Sequence, residues 1–107
     1  MTTKTFFDKL PAVLAANPKL GAGIGATFHL KVAGVGEWTL DCRGATPTIA
    51  AGLRGKADCA VESSATDFES VLANPANAMK LYFGGKVKIA GNAILVVKLA
   101  PILGAVK

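Results

Sequence analysis

Few side chains in this 107-residue chain are equipped for chemistry, and their spacing argues against most of it. Gly21-Ala-Gly23-Ile-Gly25-Ala26 matches the dinucleotide pattern G-x-G-x-x-A. That pattern works when a strand precedes the glycines and a helix follows, so that phosphates meet a helix N-terminus. Here the surrounding residues read as helix before and strand after, the reverse order. His29 is the sole histidine and alternates with Thr27 and Lys31 on the polar side of a strand, away from any nucleophile. Glu37, Asp41 and His29 share a hairpin face, which an ordinary polar sheet surface explains. Cys42 and Cys59 fall on apolar faces, where cysteine acts as a small hydrophobe. Two cysteines and one histidine leave a zinc site short of ligands, so no metal is expected. Neither Gly-Lys pair has a glycine five residues before its own, so there is no phosphate-binding P-loop. The composition offers no enzyme and no cofactor.

The elements that position these residues follow from periodicity. Phe6, Leu10, Val13 and Leu14 share one helical face, with Thr5 and Asp8 as a capping pair, Pro11 as a kink or late start, and Asn17-Pro18 as the stop. Gly21 to Gly25 form a flexible connection. Phe28, Leu30 and Val32 alternate with polar residues, as do Trp38, Leu40 and Cys42, and Gly34-Val35-Gly36 joins them as a hairpin. Thr46 to Ala50 is a weaker strand, and Ala57 to Glu62 another with Cys59 and Val61 inward. Ser64 caps a helix whose inner face is Phe68, Val71 and Leu72. Asn74-Pro75 ends it and starts a second helix carrying Met79, Tyr82 and Phe83 to a stop at Gly84. Val87 and Ile89 form the last strand. Asn92 caps a nearly all-apolar helix, Ala-Ile-Leu-Val-Val-Lys-Leu, that Pro101 breaks. The sum is one α+β domain over residues 1–107, with helices flanking a mainly antiparallel sheet of about five strands.

A helix hydrophobic all round must be buried or must face something greasy outside the chain. The composition supports the second option. Hydrophobic residues make up 51% of the chain but aromatics only 7%, and 31 residues are Gly or Ala, so the apolar side chains fill little volume. Charge is equally uneven. Residues 1–69 hold seven basic and seven acidic groups, whereas residues 70–107 hold Lys80, Lys86, Lys88, Lys98 and Lys107 with no acid. Basic charge beside apolar surface suits an anionic membrane, a phosphorylated headgroup or a carboxylate ligand. Nucleic acid is a poor match, because the basic third offers only Tyr82 and Phe83 for stacking. The longest apolar stretch, Ala93 to Val106, is interrupted by Lys98 and Pro101 and falls short of the ~20 residues of a membrane span. No signal peptide and no disulfide framework is expected, and a reducing, cytoplasmic location fits best.

Taken in order, several segments resemble the sterol carrier protein type 2 family. They are Trp38-Thr-Leu-Asp41, Ala57-Asp58-Cys59, Ser64 to Leu72, Asn74-Pro75-Ala-Asn-Ala78 and, most specifically, Phe83-Gly-Gly-Lys-Val-Lys-Ile-Ala-Gly-Asn92. The likeness spans about residues 5–100. It implies a five-stranded sheet covered by helices that enclose a hydrophobic tunnel, and non-covalent binding of fatty acids, acyl-CoA, sterols or phospholipids. Carried over, Met79, Tyr82, Phe83, Ile94, Leu95, Leu99, Ile102 and Leu103 would form the wall and lid. Trp38, Leu40, Phe68, Leu72 and Ile89 would line the sheet and helix sides. Lys86, Lys88 or Lys98 would hold an acidic headgroup or touch an anionic membrane transiently. Two departures stand out: Pro101 interrupts the C-terminal helix, and Ala105-Val106-Lys107 lacks the peroxisomal tripeptide.

Two functions are consistent with this reading. One is a lipid carrier exchanging its cargo with membranes; the other is an accessory module holding a lipid or prenyl intermediate in a lipid or isoprenoid-quinone biosynthesis assembly. An empty tunnel of about 400 Å³, at roughly 24 cal/mol per Å³, would cost on the order of 10 kcal/mol. The free protein must therefore collapse around the tunnel or carry a lipid from its host.

Overall fold

The computed structural model describes residues 2–21, 23–44 and 46–106. Ala22, in the glycine connection, and Lys107, in the tail, lie outside the described residues, as do Met1 and Ala45. The elements run α1 (Thr3–Ala16), a 3-10 turn (Pro18–Gly21), β1 (Thr27–Ala33), β2 (Gly36–Asp41), β3 (Thr48–Ala51), β4 (Cys59–Ser64), α2 (Ala65–Ala73), α3 (Asn77–Phe83), β5 (Lys88–Gly91), α4 (Ile94–Lys98) and α5 (Ala100–Ala105).

Five strands pair in the order β3-β2-β1-β4-β5. All neighbours are antiparallel except β1 and β4, which run parallel through the β2–β3 excursion. Directly paired residues share a face of the sheet. One row reads Ile49, Leu40, Phe28, Cys59 and Gly91; the next reads Ala51, Trp38, Leu30, Val61 and Ile89. This is the apolar face that the helices cover. The opposite face carries Glu37, Lys31, Glu62 and Lys88 in one row of alternating sign. Gly91 closes β5 with φ +89°, and a Cβ there would collide with the Asp58 carbonyl, so the register at this edge depends on glycine.

The helices are fixed by few polar bonds. Ser64 Oγ accepts the Asp67 amide and donates to its carboxylate, the cap expected for α2. Asn74 Oδ1 accepts the Ala76 amide, setting the turn ahead of α3. The cap of α1 differs from the expected Thr5–Asp8 pair. Thr2 Oγ1 accepts the Thr5 amide, because Glu69 takes both the Thr3 amide and its hydroxyl and draws the helix start back to α2. Pro11 lies within a continuous α1 at an exposed position, so it neither ends nor delays the helix.

Pro101 likewise does not end the C-terminal helix. It sits in the first turn of α5, where no intrahelical N–H bond is required, and Leu103 resumes the ladder by donating to Leu99 O. The expected strand at Val87–Ile89 begins one residue later, although Val87 remains buried.

Candidate lipid-binding site

Between the sheet and the helices lies an apolar cavity of about 30 Å³. Leu30 and Val61 form its floor from adjacent strands, where β1 and β4 pair them directly. Phe68 and Val71 close it from α2, and Val96 of α4, Leu99 at the α4–α5 junction and Leu103 of α5 close it from the other side. Ser63 contributes a buried hydroxyl, which donates to its neighbour's carbonyl, Ser64 O, at 3.2 Å. The lining carries no ionisable group, and apart from the Ser63 hydroxyl its side chains are apolar, the chemistry that suits methylenes.

The cavity adjoins two surface features. Ala78, Val96 and Leu103 separate it from a groove of about 210 Å³ between α3 and the α4–α5 pair, lined also by Pro75, Met79 and Val97. At its other end Ser63 is shared with a shallow pocket of about 170 Å³ that carries Lys86, Lys88 and Glu62. A larger concavity among the described residues, about 730 Å³, is an open groove elsewhere, between the end of α1 and the α4–α5 junction, with Lys19 and Lys98 on its walls. The three lysines expected as alternative headgroup or membrane contacts occupy two places: Lys86 with Lys88, and Lys98 with Lys19.

Of the residues singled out from sequence, Phe68, Leu99 and Leu103 line the cavity, and Met79 lines the adjoining groove. Trp38 reaches the site only indirectly. Its ring stacks on Phe7 with centroids 3.7 Å apart, and Phe7 in turn stacks on Phe68 at 5.5 Å. Leu40 and Ile102 are fully buried in the core, and Leu72, Ile89 and Leu95 pack half-buried against it. Tyr82 is half-buried beside the ring of Phe83. Phe83 and Ile94 point outward, 78% and 71% exposed. The cavity residues not singled out are Leu30, Val61, Ser63, Val71, Ala78, Val87 and Val96. The alternation of β1 and β4 was a signal for the first three; Ala78 and Val96 gave none, because they sit in helices apolar on several sides.

The two thiols sit nearby without forming a reactive pair. Cys42 and Cys59 are both free and buried, and burial pushes each thiol up to about 11, with Asp41 and Asp58 respectively adding to it. At the sheet's polar edge, hydrogen bonds from Arg43 hold the Asp41 carboxyl below its ordinary value.

Residues 7–104 match the model of the SCP-2 sterol transfer family. The chain belongs to this family. Sterol carrier protein 2 of Gallus gallus is 31% identical over 81 residues, which is 71% of this chain but only 15% of that relative's length. Among solved structures of the same fold is sterol carrier protein 2 from Yarrowia lipolytica in its apo form, with a TM-score of 0.78 at 23% identity, covering 94% of this chain and 88% of that one. Sterol carrier protein 2 from Aedes aegypti in complex with palmitate aligns over all of both chains, with a TM-score of 0.69 at 15% identity. The UbiJ-SCP2 ubiquinone synthesis protein aligns with a TM-score of 0.69 at 19% identity, over 90% of this chain and 83% of that one. The structural likenesses show that the chain has the fold of these proteins.

Proposed function

We propose that this SCP-2 domain is a non-catalytic carrier that encloses the acyl chain of a fatty acid, acyl-CoA, phospholipid or comparable lipid in the cavity between the sheet and α2, α4 and α5. The observation that carries this reading is the lining itself: aliphatic and aromatic side chains from both layers, one hydroxyl, and no ionisable group. Family membership and the palmitate complex of the Aedes aegypti relative support it.

A cavity of about 30 Å³ holds the volume of one water molecule, so the described state is closed. At roughly 24 cal/mol per Å³ such a void costs less than about 1 kcal/mol, against ~10 for an open tunnel. Admitting a chain requires α4 and α5 to move outward. Both are short, at five and six residues; Asn92 Oδ1 accepts the Ile94 amide at the start of α4, as expected from the sequence, α5 has no side-chain cap, and apolar packing holds the rest. Helices of that length have no stability of their own, so little beyond the Asn92 bond and apolar contacts resists their shift. A long acyl chain returns about 0.8 kcal/mol per buried CH₂, on the order of 12 kcal/mol gross. Opening, association and ordering take several back, leaving nanomolar to micromolar affinity and broad selectivity. An acidic headgroup rests at the Ser63 end, beside Lys86.

Native mass spectrometry of gently purified protein, with lipid extraction of the same sample, tests this reading. A bound mass identified as an acyl lipid supports it. Bare protein that also rejects fatty acid, acyl-CoA and prenyl lipids overturns it. The similarity to the UbiJ-SCP2 protein favours a second reading, an accessory module that holds a prenyl intermediate for biosynthetic enzymes. Binding without transfer between vesicles, together with a stable enzyme complex, would select that reading.

A further inference from the structure

The most exposed large apolar side chains among the described residues are Phe83, Ile94 and Val97, at 78%, 71% and 58%. They are not scattered. Val97 lines the groove between α3 and α4–α5 together with Met79. Phe83 lies four residues beyond Met79 on α3, and Ile94 three residues before Val97 on α4, so each continues a groove-lining stripe. Each helix also sets an exposed lysine beside its outward hydrophobe: Lys80 three residues from Phe83, and Lys98 four residues from Ile94. Residues 70–107 contain no acid to neutralise them. Apolar side chains free to insert, framed by long cationic ones, match the chemistry of an anionic phospholipid surface.

We propose that Phe83, Ile94 and Val97, with Lys80 and Lys98, form a face that docks on an anionic bilayer and sets the α3/α4–α5 groove against it as the route by which a lipid chain passes. The passage of lipid rests on the carrier reading above; the docking does not. On the bilayer Phe83, Ile94 and Val97 enter the headgroup layer while the lysines stay at its phosphates, and α4 is one of the two elements that must move to open the cavity. Lys88 takes no part, because it stands on the polar face of the sheet opposite Glu62.

The test is co-sedimentation of the full chain with phosphatidylcholine vesicles, with and without phosphatidylserine, for the native protein, Phe83→Ser/Ile94→Ser and Lys80→Glu/Lys98→Glu. Both variants change exposed positions, and their unfolding transitions should match the native one. The native protein should bind the anionic vesicles and weaken as salt rises. The serine variant should bind at least tenfold more weakly. The glutamate variant should lose most of the preference for anionic lipid, each lysine being worth about fivefold. Unchanged vesicle binding in folded serine variants overturns the proposal. So does native self-association that the serine variant abolishes, which would make this face a contact between copies. Uptake of palmitate from vesicle-free solution is measured alongside. Vesicle binding without uptake removes the carrier reading and leaves the docking face; uptake without vesicle binding does the opposite.

Discussion

Replacing Leu99 by alanine separates a side chain that shapes a ligand cavity from one that merely fills the core. Leu99 is 2% exposed, lines the cavity, and stands at the junction of α4 and α5. Truncation removes about three methylene equivalents, roughly 2.4 kcal/mol of transfer free energy at 0.8 each. The space it vacates merges with an existing void instead of being filled, which places the total near 3–4 kcal/mol, within the range for buried leucines. Chemical denaturation of delipidated protein measures this loss. Palmitate should restore part of it, because a chain in the cavity refills the vacated volume. At a free concentration 100-fold above Kd, native protein gains about 2.7 kcal/mol from ligand. Leu99→Ala should gain about 1–2 kcal/mol more, a roughly tenfold tighter Kd. Leu10→Ala is the matched control: Leu10 is equally buried, on α1, but absent from the cavity lining. It should lose a similar amount and gain no more from palmitate than native protein does. Equal ligand stabilisation of both variants would refute the placement of the acyl chain.

Three further outcomes follow from the fold. Gly91→Ala forces a side chain onto the Asp58 carbonyl at positive φ, and should cost several kcal/mol and displace β5, seen as lost amide protection at the sheet edge. Ser64→Ala removes the α2 cap at the Asp67 amide and should cost about 1 kcal/mol in denaturant unfolding. The thiols of Cys42 and Cys59, raised to about 11 from 9.0, should resist alkylation at pH 8 until the chain unfolds. Their sign is fixed by the direction of the shift. The unfolded chain loses these protons first, so the contribution is complete below pH 9 and is lost as pH rises to about 11.

Much of this architecture was legible because alternation in β1, β2 and β4 marks which face is covered. Ser64 and the Asn74-Pro75 turn punctuate the helices by side-chain chemistry that acts within three residues. What the sequence hid was long-range. The parallel pairing of β1 with β4 depends on how the β2–β3 excursion folds back, and no local signal records it. Thr2 became the cap of α1 because Glu69, 66 residues from Thr3, captures Thr3. Pro101 read as a terminator because periodicity cannot tell the end of one helix from the first turn of the next. The apolar run from Ile94 to Leu99 gave composition but not orientation. Only packing shows Val96 and Leu99 inward and Ile94 and Val97 outward, and that division separates the cavity from the proposed docking face.

The central claim is that the acyl chain lies between the sheet and α2, α4 and α5. Isotope-filtered NOE spectroscopy of ¹³C-labelled palmitate with unlabelled protein tests it most directly. The account predicts contacts from chain methylenes to Phe68, Val71, Leu99 and Leu103, and from the carboxyl end to the Ser63 side. Contacts confined to the open groove of Lys19, Ile24 and Pro101, with none to Leu99 or Phe68, would contradict it.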